Sequence, residues 1–349
     1  MMTKYPKVSI ILVNWNRLGD TLDCLSSVFR LDYPNYEVIV VDNGSTDRSI
    51  PCIRERYPQV FIIENERNLG FTGGNNRAMR YALQRNAEYV WLLNNDATTE
   101  PDALKKLVKT GEEHMEIGLI SPMIYYHGKP DEVQFSGIRL DLKGYSYRET
   151  SRHTIPDDEA REMDNLLVGT ALLIKRRVVA DIGYLDEHYF AYVEDFEYCM
   201  RAKRFGYEST VLPSARVNHK DAEWKVKKRK PMVVFLRSRN TYFFWMGILD
   251  GRRRKFDYAL HYFADRISFF SELRREGHFE AADACLDGVW AALRGIGGPR
   301  DNNIKMPRVL KGILSYHPYF WVGVLKGNIK ATLFTTINRL WDSKTEKAG

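Results

Sequence analysis

Residues 36–47 read YEVIVVDNGSTD. A β-branched run that stops abruptly at small, polar, turn-forming residues is a strand buried on both faces, with a carboxylate, Asp42, at its carboxyl end. The same pattern recurs on either side. Val8–Val13 (VSIILV) runs into Asn14-Trp15-Asn16, Val60–Ile63 leads to the polar segment 65–76, and Tyr89–Leu93 ends at Asn94-Asn95-Asp96. Between these runs, Leu18, Leu22, Leu25 and Phe29 recur at helical spacing, 75–85 reads as a helix, and another is predicted from about Pro101, a good first-turn residue. A further short strand is expected at Ile117–Ser121. Strand and helix alternating at this interval predict a parallel sheet with right-handed crossovers. All four polar clusters then share one edge, the carboxyl ends of the strands, where open α/β sheets bind ligands.

The chemistry of that edge is bounded by what is missing. The first strand is not followed by GxGxxG, which disfavours a dinucleotide dehydrogenase, and no GxxxxGK[ST] is present. The loop NWNRLGD does not fit the glycine-rich, basic loop of sugar nucleotidylyltransferases. Four cysteines, Cys24, Cys52, Cys199 and Cys285, form no CxxC, so they read as buried reduced thiols. The 349 residues, 44% of them apolar, suit one large α/β domain plus an appendage. The first residues lack the features of a signal peptide, and no run reaches the roughly 20 apolar residues of a membrane span. The expectation is a cytoplasmic protein.

Five motifs occur in order: VSIILVNWNR, VIVVDNGSTD, NERNLGFTGGNNRAM, WLLNNDA and FAYVEDFEYCMRAKRFGY. Together they resemble the family-2 glycosyltransferases of the GT-A fold over roughly residues 5–245, and within them the bacterial rhamnosyltransferase-like enzymes of surface-polysaccharide assembly. The resemblance implies a GT-A, Rossmann-like, mostly parallel sheet flanked by helices over 5–240, and it names no motif beyond. It also implies transfer of a sugar, rhamnose from dTDP-rhamnose, from a nucleotide-diphosphate donor to a glycan or lipid-linked acceptor, with inversion. A UDP-hexose or UDP-N-acetylhexosamine donor is the alternative within the same class.

Asp42 is expected at the base or ribose, although Asp-Asn-Gly-Ser is also good Asx-turn chemistry. Asp47 reads as a helix cap. Asn14 and Asn43 lie on the same edge and are expected to contact the donor, as is Asn75 in the glycine-rich stretch 68–76. Asn94-Asn95-Asp96 stands where the family often has DxD: Asp96 supplies a carboxylate to a divalent cation, Mg²⁺ or Mn²⁺, and the two asparagines face ribose or diphosphate. With only one carboxylate the metal site is weak, so metal and donor are expected to bind together. The resemblance places Gly169 and Thr170 beneath the donor sugar, assigns the general base to Asp195 with Glu194 on the acceptor side, and makes His219 a candidate for metal or diphosphate. A lone histidine is as readily structural, and Glu194-Asp195 also suits an acidic helix start.

The last third, 241–349, is expected to be a helical, basic and aromatic appendage. From Lys225 to Lys255 eleven residues are basic and only Asp250 is acidic, against a net charge of +7 for the chain. That stretch interleaves aromatics such as Phe243, Phe244 and Trp245, and Tyr316, Tyr319, Phe320 and Trp321 follow later. Such a pattern suits peripheral contact with an anionic membrane as well as it suits an ordinary packed appendage. No nucleic-acid recognition motif accompanies the charge. Arg237 and Arg239 are candidates to reach the diphosphate. A non-catalytic sugar-nucleotide binder is the rival of a different class, and the presence of both Asp96 and Asp195 argues against a decayed site.

Overall fold

A computed structural model of the chain describes residues 5–149, 166–220, 229–301, 303–316, 321, 322 and 324. The expected basic residues Lys225, Lys227 and Lys228, the aromatics Tyr319 and Phe320, and the segment 325–349 lie outside the described residues. The chain divides into two compact units, 1–222 and 223–349.

The first unit carries a mixed sheet. Strands β1 (Val8–Asn14), β2 (Tyr36–Asp42), β3 (Phe61–Glu64) and β4 (Tyr89–Leu93) pair in parallel, in the order β3-β2-β1-β4. Helices α1 (Leu18–Val28), α2 (Ser49–Arg56) and α3 (Gly70–Gln84) make the crossovers, and α4 (Ala103–Glu113) follows β5 (Ala97–Thr99). Beyond β4 come β10 (Ala171–Lys175), β6 (Ile117–Tyr126) and β11 (Glu208–His219), with β5 at the edge and the short β7 (Val133–Phe135) on β6. A two-stranded sheet, β8 (Ile138–Asp141) and β9 (Ser146–Glu149), stands apart. The continuous apolar runs behave as expected of strands covered on both faces: β4 is buried at every position, with Trp91 wholly enclosed.

The sheet is not uniformly parallel. β10 runs antiparallel to both β4 and β6, and β5 runs antiparallel to β11. The apolar run 171–175 gives no sign of its direction, because periodicity carries none. Its reversal has a consequence for the ligand edge, where β1, β2, β4 and β11 present their last residues and β10 presents its first. Gly169-Thr170, just before β10, therefore meets Asn94, just after β4, and the Asn94 N–H donates to the Thr170 carbonyl (2.8 Å).

The predicted helix at 75–85 begins earlier, at Gly70. Gly70 has φ +76°, and a Cβ there would stand 2.3 Å from the Phe190 carbonyl oxygen, so only glycine opens this helix without displacing its neighbour. Asn68 Oδ1 accepts the Gly70 N–H at 2.7 Å. Gly73 and Gly74 thus lie in the first helical turns, close to Leu69 and Val13, where their smallness serves packing.

The second unit is helical: α7 (Pro231–Ile248), α8 (Arg252–Arg275), α9 (Phe279–Leu293) and α10 (Arg308–Tyr316), after α5 (Arg176–Ile182) and α6 (Glu194–Arg204) of the first. Pro231 occupies a first-turn position, where its missing N–H costs no helical bond. Phe235, Phe244, Trp245, Tyr258, Tyr262 and Phe270 fill its interior. The division falls at 222/223, ahead of the 240/241 read from motifs, because α7 packs on α9 and belongs with it. Arg239 is wholly buried in this unit, donating to Asn240 Oδ1 (2.9 Å) and the Gly298 carbonyl (2.7 Å). Its guanidinium is therefore committed to the helical interior.

Candidate active site

A chain of side-chain hydrogen bonds runs along the ligand edge. Asn95 Nδ2 donates to Thr21 Oγ1 (2.8 Å), and Thr21 donates to Asn14 Oδ1 (2.8 Å). Asn14 Nδ2 donates to Asp42 Oδ1 (3.1 Å), and Asp42 Oδ2 accepts the Ser45 N–H (3.0 Å). The ends of β4, β1 and β2 are thereby tied through the first turns of α1. At Asp42 the side chain thus accepts from the N–H three residues on, one further than the Asx turn that Asp-Asn-Gly-Ser suggests, whereas Asp47 accepts the Ser49 N–H (3.0 Å), two residues on, at the start of α2.

Two of the expected donor contacts are engaged as braces. Asn14 is fully buried with both ends of its amide bonded, and Asn43 donates to the Gly70 carbonyl (2.9 Å) while accepting from Asn65 Nδ2 (2.7 Å). Asn75 is buried within α3 and donates to the Phe71 carbonyl (2.9 Å). Its neighbour Asn76 holds the Leu185 backbone in both directions (2.8 and 3.0 Å). The amides of Asn14, Asn43 and Asn76 set loop shape, since a buried amide that is satisfied by protein gains nothing by releasing its partners. Asn94, Asn95 and Asp96 are half-buried.

Asp96 meets His219. β11 ends at His219, whose register opposite Ala97 of β5 sets the imidazole beside the carboxylate, with Nε2 3.0 Å from Asp96 Oδ1. The other ring nitrogen, Nδ1, lies 2.9 Å from Gln134 Oε1. With the Gln134 amide in this orientation, Nδ1–H donates to it. Nε2 then either carries a second proton toward Asp96 or offers its lone pair to a cation alongside it. A separation of 3.0 Å also fits two adjacent ligands of one octahedral ion at about 2.1 Å each. Among the described residues no group of three or more His, Cys, Asp or Glu side chains surrounds such a point. The residues present therefore fit a cation that takes its remaining ligands from elsewhere, as diphosphate oxygens or water.

The acidic pair opens α6. Phe190, Tyr192 and Val193 all have left-handed backbone (φ 62°, 69° and 74°) immediately before Glu194. For a β-branched valine this is unusual, and each such residue costs about 1–3 kcal/mol, which the surroundings must hold in place. They do so through the Phe190 carbonyl, which accepts the Thr72 N–H (3.1 Å) from α3. Asp195 is fixed at both oxygens, Oδ2 accepting the Gly169 N–H (2.9 Å) and Oδ1 the Phe196 N–H (2.9 Å). A Cβ at Gly169 would stand 2.7 Å from the tip of the Phe71 ring, so a side chain there would have to displace that ring. Asn94, Thr170, Gly169 and Asp195 thus form one bonded series joining the Asp96 motif to the acidic pair.

Glu194 differs sharply from its neighbour. It is buried, and its Oε2 has no hydrogen-bond partner. Burial first, and the adjacent Asp195 charge second, push its carboxyl well above the usual carboxylate range. One member of the pair is anchored as an acceptor, and the other is held toward its neutral form.

A family model described as Glycosyl transferase family 2 matches residues 9–183. The chain belongs to that family. Relatives include a low-salt glycan biosynthesis hexosyltransferase of Haloferax volcanii, 29% identical over 214 residues, and an N-acetylglucosaminyl-diphospho-decaprenol L-rhamnosyltransferase of Mycobacterium tuberculosis, 26% identical over 204. The matches cover 58% and 53% of this chain and span 63% and 66% of those proteins. Among solved structures, the mannosyltransferase PcManGT of Pyrobaculum calidifontis, in complex with GDP-Man and Mn²⁺, aligns at a TM-score of 0.51 and 16% identity, covering 97% of this chain and 88% of that one. TarS of S. aureus in complex with UDP-GlcNAc aligns at 0.54 and 16%, covering 93% and 89%. The fold of this family-2 member is the GT-A fold.

Thr21, Gln134 and Lys220 bind the edge together and are not singled out by any motif. Thr21 alone had a local signal, since it sits one turn into the helix that follows the first polar cluster.

Proposed function

We propose that this family-2 protein transfers a sugar from a nucleoside-diphosphate donor to an acceptor hydroxyl in one inverting displacement, with Asp195 as the general base. The observation that carries the reading is the anchoring of Asp195 by two backbone N–H groups, in a bonded series that begins at Asn94 beside Asp96. The acceptor oxygen attacks the anomeric carbon, its proton passes to a carboxylate oxygen of Asp195, and the bond to the diphosphate oxygen breaks. Glu194, held toward its protonated form, suits donation of a hydrogen bond to an acceptor oxygen. Asp96 and His219 are the residues that would hold a divalent cation. When bound with the donor, Mg²⁺ or Mn²⁺ neutralises charge on the departing diphosphate. Asp42, Asn94, Asn95, Gly169 and Thr170 line the edge on the donor side, with Asn14 and Asn43 as braces behind them and Asn75 in the first turns of α3.

The donor we favour is dTDP-rhamnose, and the acceptor a lipid-linked or surface-polysaccharide glycan. Support comes from the mycobacterial relative's name. The hexosyltransferase of H. volcanii keeps a hexose donor in play. A panel of nucleotide sugars, scored by thermal shift with and without Mn²⁺, tests this: stabilisation by dTDP-rhamnose supports it, and selective stabilisation by a UDP-sugar replaces it.

We also propose that the second unit touches anionic membrane. Arg252, Arg253 and Arg254 are exposed at the start of α8, Phe256 is 64% exposed beside them, and no described helix is long and apolar enough to cross a bilayer. Sedimentation with anionic vesicles should weaken with salt and on neutralising Arg252–Lys255. Equal binding to neutral vesicles contradicts it.

A further inference from the structure

His219 is followed by Lys220, whose three bonds all lead back to the ligand edge. Its backbone N–H donates to the Asp96 carbonyl (3.0 Å), and its ammonium donates to Asp20 Oδ1 (3.2 Å) and Asp23 Oδ2 (2.5 Å) on α1. Asp20 also accepts from Arg17 (3.2 Å). The carboxylates are nearly 200 residues away in the chain, yet they belong to the same helical stretch as Thr21, which braces Asn14 and Asn95. Lys220 and Asp20 are both mostly covered, so their charges are incompletely screened. Asp23 and Lys220 both lie within electrostatic range of Cys24, as does Asp96.

This arrangement poses an electrostatic problem that Lys220 solves. An edge meant to receive a diphosphate has, beside Asp96, two further carboxylates on α1. With only the exposed Arg17 left against Asp20, they would repel the incoming anion. We infer that Lys220 is a charge-compensating positioning residue of the donor site: its ammonium cancels the Asp20 and Asp23 charges beside the diphosphate position, while the end of β11 is held to Asp96 by the backbone N–H, whichever side chain stands at 220. The inference rests on the assignment of Asp96 to the donor site. It adds a charge-compensating device outside the recognised motifs.

The test is calorimetric binding of UDP and dTDP with Mn²⁺ to the full chain. Lys220→Met should weaken binding by about tenfold, the scale of one charge-assisted hydrogen bond. The loss should shrink as salt is raised, whereas a purely structural defect would not respond. Lys220→Arg should bind like wild type. The triple variant Asp20→Asn, Asp23→Asn, Lys220→Met should recover affinity to within about threefold, because the repulsive charges are gone along with their counter-ion. Asp20→Asn with Asp23→Asn alone, which keeps Lys220, should bind at least as tightly as wild type, and it covers the case in which Lys220→Met fails to fold. Unchanged affinity in Lys220→Met, no recovery in the triple variant, or weaker binding in the double variant each overturn the inference. Asp96→Ala run in parallel separates the two readings: if it too leaves nucleotide binding unchanged, the donor-site assignment has failed, and if it abolishes binding while Lys220→Met does not, only the present inference has failed.

Discussion

Asp96 and Glu194 are both carboxylates at the ligand edge of one sheet, and the protein treats them oppositely. Asp96 is given a partner, His219, itself oriented by Gln134. Glu194 is given none for its Oε2 and is buried beside another acid. The first setting suits charge that stays in place, as a cation or an ion pair requires. The second suits a proton that stays on or moves, as acid–base work requires. Two carboxylates of similar intrinsic acidity acquire different chemistry from what surrounds them.

The largest expected effect is on the proton side. Asp195→Asn keeps the size of the side chain and removes the proton acceptor. Single-turnover rates should fall by roughly 10²–10⁴-fold, the usual share of a general base, with nucleotide affinity nearly unchanged. A near wild-type rate removes Asp195 from the mechanism.

On the cation side, Asp96→Ala should cost at least about 100-fold in Mn²⁺-dependent nucleotide affinity, and Gln134→Leu about tenfold, since outer partners of metal ligands matter at that scale. Calorimetry with and without chelator checks both. If Gln134→Leu binds like wild type, the orientation of His219 is not set as described.

The smallest effect is expected at Glu194. Glu194 has its carboxyl raised in the folded chain, so its neutral form stabilises the fold at low pH, and that contribution is lost as pH rises through the folded value. Glu194→Gln removes the titration. Its thermal midpoint should therefore gain on wild type as pH rises above the ordinary carboxylate range, because only the wild-type protein then has to ionise a buried acid. Turnover should fall less than in Asp195→Asn. A midpoint difference independent of pH contradicts the buried-acid account.

Much of this architecture is legible in the sequence because it is local. Asp42, Asp96 and Asp195 each stand at a strand end or a helix start, where an apolar run stops and a polar cluster begins. What escapes is set by strand direction and distance. Nothing in ALLIK says that 171–175 runs antiparallel, yet that reversal brings Gly169 to Asp195. Lys220 meets Asp20, and His219 meets Gln134, only because β11 returns to the edge next to β5 and β6. Asn43 lies on the right edge by sequence, but only the folded chain shows its amide turned inward to hold the loop ahead of α3.

The proposed reaction is a single displacement assisted by one anchored carboxylate. The most direct measurement is the NMR anomeric configuration of the first-formed product made by the wild-type protein from a donor of known configuration. Asp195 acting as base on the acceptor hydroxyl predicts the configuration opposite to the donor's. Retained configuration would require a second displacement and a nucleophile, and would contradict the account.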